Sequence, residues 1–293
     1  MNQRPAILGV FAVVLAAILW GSTGTLQAQM PAERIPVVVG VVRLVIGAIA
    51  LCVLALATGA RPRTLAQLPL GGVFLAGCSI GLYNLLFFRG VALAGVGVGT
   101  AITIGSAPLW VIGYEILRGI IPTKAKSFGL GLCLVGVVLL AGLSADVRPD
   151  PLGVLLGLGA GASYAFYSQA TSAIKTDLDS SAIAAATFSV AALVTAPALF
   201  LYDTAWIWQA EALWPLLGLG VLSTGVAYAL YTWGLRHVLP STAVTLALVE
   251  PMTAFFLAVF LLGESVTLPT GLGAGLLLVG LMLVTRAEAR RKA

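Results

Sequence analysis

Charge is scarce in this sequence. Asp, Glu, Lys and Arg together make up 9% of the 293 residues, against roughly 25% in a soluble domain, too few to cover a water-facing surface. Histidine is scarcer still. The one copy, His237, excludes any site that needs two imidazoles, and Cys52, Cys78 and Cys133 each stand alone in an apolar run. Neither a disulfide framework nor a metal-ligand spacing can be built from that set. No P-loop is present, so ATP hydrolysis is not expected of this chain. One string, GCSIG from Gly77 to Gly81, satisfies G-x-S-x-G. That motif needs a strand–turn–helix elbow and a histidine base, whereas here it lies in an apolar helical stretch and reads as small-residue packing. The chain is expected to be no enzyme and to hold no cofactor and no metal.

What is abundant is apolar length. Hydrophobic residues are 60% of the chain and the mean hydropathy is +1.05. Runs of 18 or more mostly apolar residues recur throughout, each long enough to cross about 30 Å of hydrocarbon. The expected fold class is therefore an all-α membrane protein of ten transmembrane helices, near 6–26, 36–58, 69–89, 96–117, 126–143, 152–172, 182–202, 213–233, 241–262 and 267–285. The first run, after Arg4, has the look of a signal peptide, but it continues to about Leu26 and is read as a span. The net charge of +5 falls between the spans, where cations orient helices. The expected partners are a lipid bilayer and a small-molecule substrate, with no nucleic acid. A homodimer is signalled weakly by small-residue pairs such as Gly271 and Gly275, so a monomer or weak homodimer is expected.

The chain repeats itself. GLGLCLVG, from Gly129 to Gly136, matches GAGLLLVG, from Gly273 to Gly280, at an offset of 144. At that offset Trp20, Thr23, Gly24 and Gln27 fall on Tyr164, Tyr167, Ser168 and Thr171, and Pro108 falls within one residue of Pro251. Two five-helix repeats result, 1–146 and 147–293. An odd number of spans per repeat forces the second copy in upside down. Loop charges agree: Arg61, Arg63, Arg118, Lys124 and Lys126 of the first half face Asp203, Glu211 and Glu264 at the equivalent places of the second, while Lys175, Arg236, Arg290, Arg291 and Lys292 mark the converse loops and tail. The positive-inside rule puts both termini in the cytoplasm. Inverted repeats are the signature of carriers that alternate between two openings, with a midplane site.

Polar side chains at helical spacing mark the expected pathway. They are Trp20, Thr23 and Gln27; Ser79, Tyr83 and Phe87; Thr100, Thr103, Ser106 and Trp110, with Tyr114 beyond; Tyr164, Tyr167 and Ser168; and Tyr228, Tyr231 and Thr232. Taken one at a time each is explained by interhelical packing or an interfacial aromatic belt, but as stripes they suit a small solute with an apolar side chain and a polar head. Two ionisable residues lie deep in spans, Arg43 and Glu250, and such residues are functional candidates. Glu250 is read as a proton relay or a partner for a substrate amine, with a carboxylate satisfied by a neighbouring helix as the plain alternative. Pro108 and Pro251 are hinge or kink candidates. Pro251 lacks an N–H and should leave the carbonyl of Ala247 free. Glu115 and Arg118 read as a structural i, i+3 pair.

LWGSTG (Leu19 to Gly24), VVRLVIGA around Arg43, the proline in the fourth span of each half, and LLGESVT (Leu261 to Thr267) resemble the drug/metabolite transporter superfamily of EamA type, with YddG-type amino-acid exporters the nearest likeness. The resemblance covers nearly the whole chain. It departs at LRGIIP (Leu117 to Pro122), where the family's repeat often has Gly-Glu. It implies a basket-like ten-helix bundle in the bacterial inner membrane that exports aromatic amino acids, methionine and other neutral or bulky ones. Two rivals stay open: efflux of cationic drugs or other small metabolites, and a non-transporting membrane scaffold.

Overall fold

A computed structural model describes residues 4–60, 67–141, 149–263 and 265–291. Arg61, Arg63, Glu264 and Lys292, used above for orientation, lie outside the described residues. The first half contains α1 (Arg4–Gly21), α2 (Thr23–Ala28), α3 (Pro36–Ala57), α4 (Leu70–Ala94), α5 (Val96–Leu117) and α6 (Lys124–Leu140). The second contains α7 (Pro151–Ala173), α8 (Ser180–Thr195), α9 (Ala210–Leu217), α10 (Ala227–Leu235), α11 (Pro240–Leu246), α12 (Val249–Leu262) and α13 (Leu268–Arg291). A π-helical stretch, Gly218–Val226, joins α9 to α10. No strand occurs among the described residues.

The chain is a multi-pass membrane protein. Among the described residues eight helical segments are long and apolar enough to cross a bilayer: Pro5–Ala28, Pro36–Ala57, Leu70–Ala94, Gly97–Leu117, Ser180–Phe200, Ala210–Leu235, Pro240–Leu261 and Leu268–Arg290. Two of the expected spans are not in that group. Helix α6 has only 17 residues, and α7 carries a polar face of Tyr164, Tyr167, Ser168 and Gln169 that lowers its hydropathy. Large apolar side chains such as Phe11, Phe74, Leu117 and Phe260 point outward, which suits a surface solvated by lipid.

Local sequence signals set the helix ends. Thr123, Asp150 and Asp179 cap α6, α7 and α8 by accepting from the backbone N–H two or three residues on, leaving fewer orphan donors in the first turn. A single residue, Gly95 at φ 85°, separates α4 from α5, a conformation that glycine adopts without a Cβ clash. Both chain ends lie at one end of the bundle, called the terminal end below. A Cβ on Gly9 would meet His237, and Glu288 near the end of α13 accepts from the N–H of Leu239.

The halves interlock through close helix contacts. Helix α6 packs against α13 with Gly129 at Gly280 and Gly136 at Gly273, where an added Cβ would stand within 3 Å of the facing carbonyl oxygen. The contact is reciprocal: 129 and 136 meet the residues 144 positions beyond 136 and 129. Glycine is needed because the backbones themselves touch, as in small-residue membrane interfaces. Beside them α4 lies on α7, with Gly90 against Gly153 and Gly157.

Candidate functional site

Helix interruptions build the site. Helix α1 breaks at Ser22, whose hydroxyl donates to the carbonyl of Leu19 at 2.7 Å and lies 3.2 Å from the hydroxyl of Ser223 in the π-helical stretch. Gly21 lets that break close on α12, since a Cβ there would stand 2.9 Å from the carbonyl oxygen of Glu250. Trp20 and Glu250 are thereby brought to one place. Next to Glu250 in the chain, α11 ends at Leu246 and α12 begins at Val249. The sequence leads us to expect that Pro251 leaves the Ala247 carbonyl free, and it does not. The helix tightens instead, and that carbonyl accepts from Glu250 N at 2.9 Å while Leu248 N donates to Thr245 O at 3.1 Å. These are i to i+3 bonds, the tighter turn that often marks a hinge. Pro108 behaves differently: α5 runs through it without a break.

Between these breaks lies a small inner cavity of about 30 Å³, lined by Trp20, Thr23, Arg43, Tyr83, Phe87, Thr103, Ile104, Tyr164, Tyr228, Val244, Ala247 and Glu250. Room of that size holds one or two waters. It shares Trp20, Thr23, Phe87, Ile104 and Glu250 with a vestibule of about 470 Å³. The vestibule wall includes Arg34, Ala141, Ser265 and Thr270, at the end of the bundle opposite the termini. At 1.5 Å rise per residue, Arg43 stands about 10 Å along α3 from Pro36 and Glu250 about 15 Å from Pro240. Both are near mid-depth of a bilayer core about 30 Å thick.

Below the inner cavity, on the terminal side, aromatic rings close the way. Trp20 lies 4.8 Å from Tyr228 and 5.2 Å from Tyr231 between ring centroids, Tyr83 lies 5.4 Å from Tyr164, and Phe188 backs Tyr228 at 4.4 Å. Such pairs each add about 0.5–1.5 kcal/mol beyond their buried area. The Tyr231 hydroxyl is tied to Ser168 at 2.9 Å.

The expected pathway residues do not all border a cavity. Trp20, Thr23, Tyr83, Phe87, Thr103, Tyr164 and Tyr228 line the inner cavity with Arg43 and Glu250, and Gln27, Thr100 and Pro251 line the vestibule. Tyr167, Ser168, Tyr231 and Thr232 are buried behind the floor. Ser79 bonds its own helix, donating to Leu75 O at 2.7 Å, and Ser106 donates to Thr103 O at 3.2 Å. Trp110 and Tyr114 are 49% and 38% exposed and line neither cavity. The α5 stripe keeps one helical face, but only its half nearer the vestibule borders the cavity.

Arg43 and Glu250 do not pair. No ion pair joins them among the described residues, although both reach the inner cavity. Arg43 is 5% exposed, its Nε has no partner, and its guanidinium lies 5.6 Å over the Phe88 ring. The indole Nε1 of Trp20 and the hydroxyl of Thr103, on the same walls, also lack partners.

A second polar cluster went unseen in the sequence. Glu115 does not pair with Arg118. It accepts from Ser241 N at 3.0 Å, while Arg118 donates to the Tyr114 hydroxyl at 3.1 Å and stacks on that ring. Lys126, read as a loop cation, is buried and donates to the hydroxyls of Ser241 and Thr242. Glu288, 2% exposed, accepts from Thr242 Oγ1 at 2.6 Å and Leu239 N at 3.5 Å. The carboxylates thus satisfy N–H groups at the start of α11, where the helix dipole favours negative charge.

Known proteins place this geometry. The model of the EamA-like transporter family matches twice, over residues 7–142 and 151–286. The uncharacterized transporter YwfM of Bacillus subtilis is 36% identical over 282 residues, spanning 96% of this chain and 94% of its own. An uncharacterized transporter of Archaeoglobus fulgidus is 26% identical over 95% of this chain and 96% of its own. The threonine/homoserine exporter RhtA of Escherichia coli K12 is 28% identical over 222 residues, 74% of this chain and 72% of its own. A solved crystal structure superposes over the full length of both chains with a TM-score of 0.83 at 19% identity, which shows a shared fold.

Proposed function

Since the chain belongs to the EamA-like transporter family, we propose that it is a secondary carrier exporting amino acids across the bacterial inner membrane by alternating access. The cargo is aromatic amino acids, methionine and other neutral or bulky ones. The observation that carries the reading is an aromatic-walled chamber, open at one end through the vestibule, that stops at mid-depth on Arg43 and Glu250. A solute with an apolar side chain and a charged head matches such walls and such a floor. The relative named as a threonine/homoserine exporter supports amino-acid cargo.

Alternating access follows from duplication. Ten spans in two inverted halves, near 1–146 and 147–293, are supported by two family matches whose starts and ends are each 144 residues apart, and by the reciprocal glycine contacts between α6 and α13. A two-fold axis in the membrane plane relates two such halves and allows one opening to convert into its mirror. The positive-inside rule places the terminal end in the cytoplasm, so the vestibule faces outward. Pro251, beside the tightened turn, serves as a hinge.

Purified protein in liposomes is expected to accelerate efflux of radiolabelled leucine, methionine and phenylalanine in a saturable way. Leakage equal to that of empty vesicles would sink the reading. Efflux of cationic drugs is the second reading, favoured by Glu250 standing in the vestibule wall. It predicts competition by quaternary ammonium compounds and none by amino acids. Arg43 in the same chamber weighs against it, because a lone cation would face an unmatched guanidinium.

A further inference from the structure

We propose that Arg43 and Glu250 are the two poles of a clamp for a zwitterionic head group. The guanidinium takes the α-carboxylate and the carboxylate takes the α-ammonium. This rests on the amino-acid reading above and adds to it which atoms recognise the cargo. It also predicts that both charges of the head are required.

Both groups lie on the walls of one cavity of about 30 Å³ at mid-depth, and no ion pair joins them among the described residues. Arg43 is buried and Glu250 half-buried at the vestibule mouth. A buried charge is normally paired, because an isolated ion in a low-dielectric interior loses its hydration with nothing in return. Here the pairing that the chain itself could make is left open. The Phe88 ring under the guanidinium, 5.6 Å from its centre, holds that group by a cation–π contact that uses none of its N–H donors. The fork is left for a planar, bidentate acceptor such as a carboxylate. Glu250 is fixed by the tight turn through Ala247 and stands where the inner cavity meets the vestibule.

The charge balance selects the ligand class. The two poles sum to zero, so a zwitterion matches each without adding net charge. An amine alone leaves Arg43 unmatched, and an acid alone leaves Glu250 unmatched. A site built for a polar partner rejects analogues that lack it far more strongly than an apolar pocket rejects a missing methylene. The inner cavity is smaller than an amino-acid head, so the head enters between the two poles only as the cavity widens from the vestibule side. The side chain stays against Trp20, Tyr83 and Phe87.

The test is competition for labelled phenylalanine in proteoliposomes by three compounds of similar bulk: phenylalanine itself, phenethylamine and 3-phenylpropionate. The unaltered protein is expected to bind the zwitterion at least tenfold more tightly than either truncated analogue. Glu250→Gln should weaken phenylalanine at least tenfold while leaving 3-phenylpropionate within about twofold. Arg43→Gln should do the converse, sparing phenethylamine. Equal competition by all three compounds on the unaltered protein overturns the clamp without any variant, which covers the case in which a variant fails to fold. Equal losses for all three compounds in a folded variant overturn it too. If no amino acid competes or moves while another solute does, the functional reading falls first. If amino acids move but head truncation is tolerated, only the clamp falls.

Discussion

Two clusters of charge inside this bundle, one buried and one with Arg43 buried and Glu250 half-buried on the vestibule wall, are handled in opposite ways. At the terminal end, Glu115, Lys126 and Glu288 are each hydrogen-bonded to the first turn of α11. At mid-depth, Arg43 and Glu250 share a cavity and no ion pair. Burying charge is unfavourable, and the first cluster offsets it internally with hydroxyls and backbone N–H groups. In the second, no ion pair or hydrogen bond to either charged head is found among the described residues, and Arg43 has the Phe88 ring beneath it. Satisfied buried charge holds helices together, and the cluster does so across α5, α6, α11 and α13. Unsatisfied buried charge lowers stability and is retained where a ligand completes it.

The largest effect expected from breaking this contrast is at Lys126. Lys126→Met strips the ammonium from the Ser241 and Thr242 hydroxyls, whose residues also hold Glu115 and Glu288, and should destabilise the protein by about 3–5 kcal/mol, read as a lower thermal unfolding midpoint in detergent. Unchanged melting would mean that the cluster is not a clasp. Next in size is its rescue. Adding Glu115→Gln and Glu288→Gln to Lys126→Met should recover about 1–3 kcal/mol, since the uncompensated charges are then gone. A further loss on adding them would show that the carboxylates act independently of the lysine.

At mid-depth the same kind of change should not lower stability. Glu250→Gln removes a charge with no ion-pair partner among the described residues, so stability should equal the parent's or exceed it by up to about 1 kcal/mol while amino-acid transport falls. A loss as large as that at Lys126 would erase the contrast between the clusters. Smallest of all is Trp110→Ala. That ring is half exposed and outside both cavities, so transport should stay within about twofold of the parent and stability within about 0.5 kcal/mol. A collapse of transport would put Trp110 back on the pathway and require a conformation in which α5 turns that face inward.

The two clusters were not equally legible. Arg43 and Glu250 announce themselves, because a charge inside an apolar run is visible without any partner. Lys126 and Glu115 sit at helix ends, where a charge is ordinary. Their burial depends on Ser241, whose oxygen meets Lys126 and whose N–H meets Glu115, more than a hundred residues along the chain. The pairing of Glu115 with Arg118 was a local reading of i, i+3 spacing, and a distant backbone N–H won. The aromatic stripes were legible for the same reason as the midplane charges, since hydroxyls and rings facing lipid would be wasted. How far along α5 the stripe borders a cavity was not legible, because a helical face does not say what lies across from it. The break at Ala247 was half read: the proline located it, but the neighbouring N–H groups decided that the carbonyl would be bonded and not orphaned.

By itself the sequence determined that this is a polytopic membrane protein. Bilayer thickness turns apolar run length directly into helices, and a repeat at 144 residues is a property of the chain alone. Only the tertiary structure decided which buried charges are matched and which are left open. Matching is a question of distance between groups far apart in sequence, and side-chain identity fixes what a group needs but not what stands beside it.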